Sequence, residues 1–314
     1  MKVAVVAHSG KSFGGGLAEL RSVLERRGID ELRWREVPKS RKAPKQVRKA
    51  LEWGADLIFV WGGDGMAQRA IDVAAGSDTP IALIPAGTAN LLASNLGVPR
   101  DIEAAVDIGL AGERRRLDVG RINGEAFAVM AGAGLDALMI ADADGGLKER
   151  LGRLGYIWTG LKNVRARPFD VTITIEGTTW FTGTATCVLF GNVGELFGGV
   201  ELFEGSRPDD GLLEVGVLTA TGVLQTVRTV ARIAVGSLDD AAFARTTKAA
   251  SVQVKMDRKV LYEVDGGERT KVKSLRVDVE PSALVVCVKD PAPRPRPARA
   301  RRSARTSPGG RVRR

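Results

Sequence analysis

Three glycines surround one aspartate at the end of an apolar run, in the stretch VWGGDGM of residues 60–66. A tight turn needs about one glycine, so Gly62, Gly63 and Gly65 around Asp64 predict that another group approaches this backbone closely. The turn lies between a predicted strand and a predicted helix, whose first amides would suit a phosphate group. A carboxylate there would repel phosphate unless both share a cation. The alternative is a structural turn that binds no ligand.

A second stretch of small residues, PAGTANLLASNLGVP, follows the next predicted strand. It contains Gly87, together with Thr88 and Asn90, whose side chains can donate or accept hydrogen bonds. In parallel sheets, ligands bind beyond the carboxyl ends of the strands. Both stretches are therefore predicted to lie at one binding edge.

Two other stretches resemble phosphate-binding motifs, but the residues around them do not fit those motifs. The stretch SGKS at residues 9–12 resembles the end of a Walker loop, but Val5 stands where the first glycine of that motif is required. The stretch GAGLDA at residues 132–137 matches a dinucleotide fingerprint, but it follows the β/α region and has no βαβ unit of its own.

The composition excludes several kinds of chemistry. His8 is the only histidine, so a zinc site or a Ser-His-Asp triad is disfavoured. Cys187 and Cys287 lie in apolar, strand-like segments, and we expect both to be core thiols in a reducing compartment. Chemistry must then depend on carboxylates, backbone amides and bound cations. With no signal peptide or membrane-spanning run, we expect a soluble, cytoplasmic protein.

The periodicity of apolar residues predicts two domains. Residues 1–116 alternate fully apolar strands with helices, which is typical of an α/β domain with a parallel sheet covered on both faces. Residues 117–290 contain alternating strands such as FDVTITIEG, which predict a second, mostly antiparallel β-sandwich domain. The last strand is a candidate to return to the first domain. The substrate would bind in the cleft between the domains.

The net charge of +10 is concentrated in the final segment, residues 291–314, which holds nine arginines and no acids. The remaining chain is nearly neutral. This segment lacks large apolar residues, so we expect a disordered basic tail. It would contact anionic lipid or hold nucleic acid weakly, or it only aids solubility. No specific nucleic-acid partner is expected.

The order and spacing of GGDG and PAGTANLLASNLGVP resemble the diacylglycerol kinase catalytic domain of soluble bacterial lipid kinases and sphingosine kinases. The wider superfamily includes NAD kinases, which share the GGDG turn but lack a GTAN-type segment. The later stretches LDVGRINGEAFAVMAGAGLDA, SRPDDGLLEVGVL and YEVDGGERT also resemble this family. The resemblance covers the chain to about residue 289 and implies a lipid kinase that uses ATP and Mg²⁺.

The resemblance also implies roles for individual residues. Asp64 would hold the catalytic Mg²⁺, and Glu268, or else Asp265, would be the base that deprotonates the acceptor hydroxyl. A structural Mg²⁺ would be bound by the Asp210 carboxylate and by the carbonyl oxygens of Arg207 and Leu212. The implied ATP-binding residues are Ser9, Gly10, Lys11, Ser40, Gly62, Gly63, Asp64, Gly65, Met66, Gly87, Thr88 and Asn90.

Several positions depart from the family pattern. Met66 stands where threonine is usual, Leu91 where aspartate is usual, and Gly267 where a gapless comparison puts the catalytic glutamate. The predicted function is transfer of the ATP γ-phosphate to diacylglycerol or a related lipid at the membrane surface. The alternatives are a sphingoid base or NAD as acceptor, or a non-catalytic nucleotide-binding relative. A homodimer is left open.

Overall fold

The computed structural model describes residues 1–29, 31–134, 167–194, 202–220, 225 and 242–289. The sequence pattern also predicts helices near residues 149–165 and 222–235. The first of these helices and the basic tail lie outside the described residues, and of the second only residue 225 is described.

The first half of the chain forms an α/β domain, and the apolar alternation explains its elements. Strands β3 and β4 are buried at every residue, as expected for a sheet covered on both faces. The parallel strand order is β2-β1-β3-β4. The elements are β1 (Lys2–His8), α1 (Gly16–Arg26), β2 (Glu31–Val37), a 3-10 turn (Ser40–Lys42), α2 (Ala43–Glu52), β3 (Leu57–Gly62), α3 (Asp64–Ala74), β4 (Ile81–Pro85), α4 (Leu91–Asn95) and α5 (Ile102–Ala111).

Helix α5 was not predicted from the sequence. Its start carries a recognisable signal, because the Asp101 carboxylate accepts a hydrogen bond of 2.8 Å from the Ala104 amide. Aspartate is a favoured residue at this capping position. The helix packs on β4 and covers the sheet beside the candidate site.

The second half is mostly antiparallel β-structure, as predicted. In β8, Phe169, Val171 and Ile173 are buried and Asp170 is exposed, which is the expected alternation. The strands are β5 (Glu113–Ile122), β6 (Glu125–Phe127), β7 (Met130–Ala133), β8 (Phe169–Ile175), β9 (Thr178–Ala185), β10 (Cys187–Gly191), β11 (Leu213–Leu218), β12 (Ala244–Ala249), β13 (Ser251–Val264) and β14 (Gly267–Val288). An α/β domain followed by a β-sandwich domain confirms the predicted fold class.

Strand β14 connects the two halves. It pairs antiparallel with β13 and β5, and its far end pairs parallel with β4 where Val286 lies opposite Ile81. A register shift between Glu280 and Leu284 interrupts the strand, and Ser282 has a positive φ of 53° there. The buried Asp118 carboxylate accepts the Ser282 amide at 2.7 Å and so holds this irregular turn.

Cys187 and Cys287 are both buried thiols that are not part of a disulfide, which confirms the expected core thiols. Burial raises the pKa of Cys287 to about 11, so this thiol stays protonated and packs as a small apolar group. Within the described residues, no helix combines the length and the apolar character needed to cross a membrane.

Close packing of α5 on the sheet gives a prediction for Gly109. A Cβ atom added there would lie 2.2 Å from Phe59 Cε1 and 2.9 Å from Ala82 Cβ. We expect Gly109→Ala to destabilise the fold by about 1–3 kcal/mol through overpacking, although alanine has the better helix propensity. Urea unfolding measures this change. The matched control is Gly65→Ala in α3, where an added Cβ meets no atom within 4 Å, and equal stability of the two variants would contradict the packing argument.

Candidate active site

The two glycine-rich turns touch each other at the carboxyl edge of the parallel sheet. A Cβ added at Gly63 would lie 2.9 Å from the Gly87 Cα, and one added at Gly87 would lie 2.4 Å from the Gly63 Cα. The Ala86 amide also donates to the Gly62 carbonyl at 2.8 Å. Side chains are excluded here because two backbones meet. This close approach accounts for part of the glycine content of both stretches without a ligand.

Asn90 closes the second turn with its side chain. Its Oδ1 accepts the Gly87 amide and its Nδ2 donates to the Gly87 carbonyl, both at 2.8 Å. The residue is buried and has a positive φ of 52°. Asn90 therefore shapes the turn, whereas the neighbouring Thr88 is exposed at the same edge.

Asp64 begins α3 and faces the start of the short helix α4. Burial raises the pKa of its carboxyl, and the backbone amides of Asn90, Leu91 and Leu92 oppose that rise by hydrogen bonding to the charged form. The carboxylate thus connects the GGDG turn to the GTAN turn. The family residue at position 91 is usually an aspartate, but here Leu91 contributes through its main chain.

Asp265 lies in the tight turn between β13 and β14, where it and Gly266 have φ values of 44° and 75°. Its carboxylate accepts three amide hydrogen bonds, from Ala128 at 2.9 Å, Val129 at 3.0 Å and Met130 at 2.9 Å. Burial raises its pKa to about 6, the three amides act against this rise, and the negative charge of Asp64 adds to it. A buried carboxyl with a pKa near neutrality is suited to proton transfer.

The two acids come from different domains, which contact each other where Gln68 of α3 donates to the Ala126 carbonyl at 2.8 Å, and the negative charge of Asp64 adds to the raised pKa of Asp265. Like charges interact strongly where water is excluded. The structure therefore brings together one of the two candidate bases and the aspartate of the GGDG turn.

Glu268 is placed differently. It is exposed and lies opposite Glu263 across the β13–β14 pair. Successive side chains of a strand point to opposite faces, so Glu268 lies on the face opposite to that of Gly267 and Arg269. A Cβ added at Gly267 would lie 2.7 Å from Arg269 Nη1, so this guanidinium occupies the space beside the position where the family's glutamate was expected.

Arg269 instead tethers the acid loop to α3. Its Nε donates to Glu125 Oε2 at 2.7 Å, and Nη2 pairs with Glu125 Oε1. The buried Gln68 of α3 donates to the same carboxylate at 3.2 Å and to the Ala126 carbonyl at 2.8 Å. Arg269 holds the pKa of Glu125 below its usual value. Gln68 thus belongs to a network that links α3 to the β13–β14 turn.

The remaining residues expected to bind ATP are spread around this edge. Ser9, Gly10 and Lys11 are exposed in the loop after β1, and Ser40 begins the 3-10 turn, which contacts α3. Met66 is buried and packs against the Gly62 backbone, while its amide donates to the Gly63 carbonyl at 2.8 Å. Its amide therefore already has an acceptor within the turn.

The candidate structural Mg²⁺ site centres on Asp210, and its carboxylate already has partners. Lys248 Nζ lies 3.1 Å from Asp210 Oδ2, and the Leu212 amide donates to Oδ1 at 3.1 Å. The same ammonium lies 2.9 Å from an oxygen of the buried Glu214. The pKa of Lys248 is raised: burial acts to lower it, but hydrogen bonds and charges of Glu214 and Asp210 outweigh burial.

Further ion pairs lie next to those of Lys248. Asp209 pairs with Arg115 at 2.6 Å and with Arg207 at 3.1 Å. Three cationic side chains thus compensate three carboxylates, and within the described ranges no cluster of three or more metal-ligating side chains occurs. The Lys248 ammonium already supplies positive charge to the Asp210 carboxylate, so these ion pairs do not by themselves point to a resident Mg²⁺, and the Mg²⁺ site at Asp210 stays a prediction.

Two family models match the chain. The diacylglycerol kinase catalytic domain matches residues 2–122, and the YegS C-terminal NAD kinase beta sandwich-like domain matches residues 129–288. The chain belongs to the diacylglycerol kinase family of lipid kinases.

Relatives of this lipid kinase family agree over most of their length. A Pseudomonas fluorescens protein named "Probable lipid kinase YegS-like" is 32% identical over 80% of this chain and 83% of its own. A Mycobacterium tuberculosis protein named "Diacylglycerol kinase" is 32% identical over 66% of this chain and 69% of its own. A crystal structure of a Bacillus anthracis diacylglycerol kinase superposes with a TM-score of 0.72 at 22% identity, covering 92% of this chain and 97% of that chain, so it supports the fold.

Two functional features of this family member escaped the sequence analysis. The Gln68–Glu125–Arg269 network joins residues far apart in sequence. The only trace of it within one segment is Gln68, a polar residue on the buried face of α3. Lys248 lies in a strand more than thirty residues after Asp210. Among the described residues, the only exposed large hydrophobic side chain is Met1.

The raised pKa of Asp265 predicts a pH dependence of stability. The folded protein binds this proton more tightly than the unfolded chain, whose carboxyl has a pKa of 3.8. The stabilising contribution is complete below about pH 4 and is lost as pH rises through about 6, by about 3 kcal/mol. In Asp265→Asn this part of the pH dependence disappears.

Urea unfolding of both proteins between pH 4 and pH 7 measures the difference. At pH 4, Asp265→Asn is destabilised by about 1–3 kcal/mol, because its NH₂ group faces an amide donor, and the difference from wild type shrinks as pH rises through about 6. Parallel pH profiles for the two proteins would contradict the assignment.

The Lys248 contacts predict how the fold responds to Mg²⁺. Lys248→Met leaves Asp210 and Glu214 uncompensated, so we expect a loss of about 1–2 kcal/mol in a partly exposed cluster, and partial recovery of Tm with millimolar Mg²⁺. Lys248→Arg is the matched control and retains the charge. Thermal melts with Mg²⁺ or EDTA measure this. A Mg²⁺-dependent rise of the wild-type Tm that Asp210→Asn abolishes would show that the metal binds there after all.

Proposed function

We propose that the protein transfers the γ-phosphate of ATP to the hydroxyl group of diacylglycerol or a related lipid alcohol. The observation that carries this proposal is the contact between the two glycine-rich turns, with Asp64 at the start of α3 and with the buried Asp265 of the second domain held by three amides. Such an arrangement supplies a phosphate cradle and a proton acceptor, which are the parts that phosphoryl transfer requires.

ATP is the proposed donor because backbone amides and exposed polar residues cluster at this edge. The turn at Gly63 and Gly65 begins α3, and a helix N-terminus favours phosphate through its unpaired amides and its dipole. Thr88, together with the loop of residues 9–11, is exposed on either side of the turn. The protein's main contribution would be to position the triphosphate and screen its charge.

Asp265 is the preferred base in this proposal. Three amides fix its carboxylate, and its pKa of about 6 lets it accept a proton near neutral pH. It would take the proton of the acceptor hydroxyl as the hydroxyl oxygen attacks the γ-phosphorus and ADP leaves. Glu268 remains the alternative base, although it lies on the other face of β14.

Mg²⁺ would accompany ATP and neutralise its phosphate charge when bound. Asp64 is the residue proposed to hold it, and the fit rests on the repulsion between Asp64 and Asp265, which a cation between the phosphate and the carboxylates would relieve. The ion meant here is the Mg²⁺ that binds with ATP, not the predicted structural Mg²⁺ at Asp210.

A kinase assay with radiolabelled ATP tests the function. The acceptors are diacylglycerol, monoacylglycerol and a sphingoid base in mixed micelles, with NAD in solution, and lipid products are separated by organic extraction. We expect label in the diacylglycerol-type lipid. Asp64→Ala should abolish transfer, and Asp265→Asn should reduce it by about 10²–10⁴-fold, whereas the matched carboxylate change Glu268→Gln should leave at least a third of the activity.

Each alternative to this proposal predicts a different result in the same assay. If Glu268→Gln removes activity and Asp265→Asn does not, Glu268 is the base. Label only in the sphingoid base or in NAD would change the acceptor. If ATP raises the Tm but no acceptor gains phosphate, the protein is a nucleotide-binding relative without catalysis, and Met66 and Gly267 are then the positions to restore first.

A further inference from the structure

The single histidine of the chain lies at the candidate ATP site. His8 is the last residue of β1, and the pairing of Ala7 with Trp61 places it beside the GGDG turn at the end of β3. A Cβ added at Gly62 would lie 3.8 Å from the His8 Cβ. The imidazole is therefore located between the loop of residues 9–11 and the first glycine of the turn.

The hydrogen bond of the ring defines its neutral tautomer. His8 Nδ1 accepts the Gly10 amide at 3.1 Å, so in the neutral imidazole the proton is on Nε2. No acceptor for this Nε2–H is found within the described residues. A half-buried N–H donor is thus held beside the proposed phosphate cradle.

The loop that carries this contact is anchored from the other side. Trp61 Nε1 donates to the Lys11 carbonyl at 3.0 Å, and the Phe13 ring stacks on the Trp61 ring with centroids 5.0 Å apart. The Lys11 amide donates to the His8 carbonyl at 3.1 Å. Because both ends of the loop are fixed, the imidazole is pre-organised, which reduces the ordering cost of binding a ligand.

We propose that His8 is a phosphate-binding residue, whose Nε2–H donates to a β- or γ-phosphate oxygen of the bound nucleotide. This inference rests on the proposed function, since it requires ATP at the GGDG turn. A hydrogen bond from imidazole to an anionic phosphate oxygen is of the charge-assisted kind. It would add an imidazole donor to a cradle built from backbone amides and exposed polar residues such as Thr88.

Because the chain has one histidine, its imidazole NMR signals are unambiguous. We would label the full-length protein with ¹⁵N-histidine and titrate it with ATP, ADP, AMP and adenosine. The Nε2 resonance is expected to move with ATP and ADP and to saturate at the Kd found by calorimetry. AMP and adenosine should leave it unchanged.

Two isosteric variants separate the phosphate contact from the loop contact. His8→Asn keeps an acceptor at the reach of Nδ1 for the Gly10 amide but removes the Nε2 donor. His8→Gln places an amide donor at the reach of Nε2 and loses the Nδ1 acceptor. We expect His8→Asn to raise the Kd of ATP about tenfold and His8→Gln to recover most of that affinity, with adenosine binding unchanged in both.

The inference is overturned if ATP binds by calorimetry while the His8 signal stays unmoved, or if His8→Asn binds ATP as the wild type does. If His8→Asn binds ATP more tightly than His8→Gln does, the contact with the Gly10 amide matters more than the Nε2 donor, and His8 is a structural residue of the loop. If ATP does not bind by either method, the proposed function fails first and the phosphate role of His8 fails with it.

Discussion

Burial of two carboxylates that only main-chain amides compensate is the constraint around which this site is built. Asp64 and Asp265 approach each other from different domains, and each is held by main-chain amides, at the start of α4 and at residues 128–130 respectively. Amide dipoles stabilise the charged forms without adding a competing cation. The Gln68–Glu125–Arg269 network then fixes the β13–β14 turn relative to α3, so that the acids cannot separate freely.

Much of the architecture could be predicted from the sequence because it depends on local patterns. Fully apolar strands alternating with helices indicate a covered parallel sheet, and the two-residue period of β8 indicates a half-buried antiparallel strand. The glycines of GGDG and GTAN were correctly interpreted as marks of close backbone approach. The approaching group at Gly63 is the Gly87 backbone, and the sequence could not distinguish a neighbouring turn from a ligand.

The parts of the site that could not be predicted depend on contacts between distant segments. Three successive amides bind Asp265 only because β7 lies beside β13 in the folded sheet. The face on which Glu268 lies follows from strand register after a tight turn, and a shift of one residue reverses it. Lys248 reaches Asp210 because β11 and β12 pair, with Glu214 opposite Lys248. The family resemblance supplied the candidate residues but not these placements.

The path of β14 has a consequence for biosynthesis. The parallel sheet of the first domain is completed by a strand about 200 residues later in the chain, where Val286 pairs with Ile81. While the nascent chain is still on the ribosome, β4 has an unpaired edge of the kind that invites association with other chains. Such a distant closing pair slows folding, because the loop entropy is lost before the contact forms. The α/β domain would therefore reach its native state only after the β-rich domain has been synthesised.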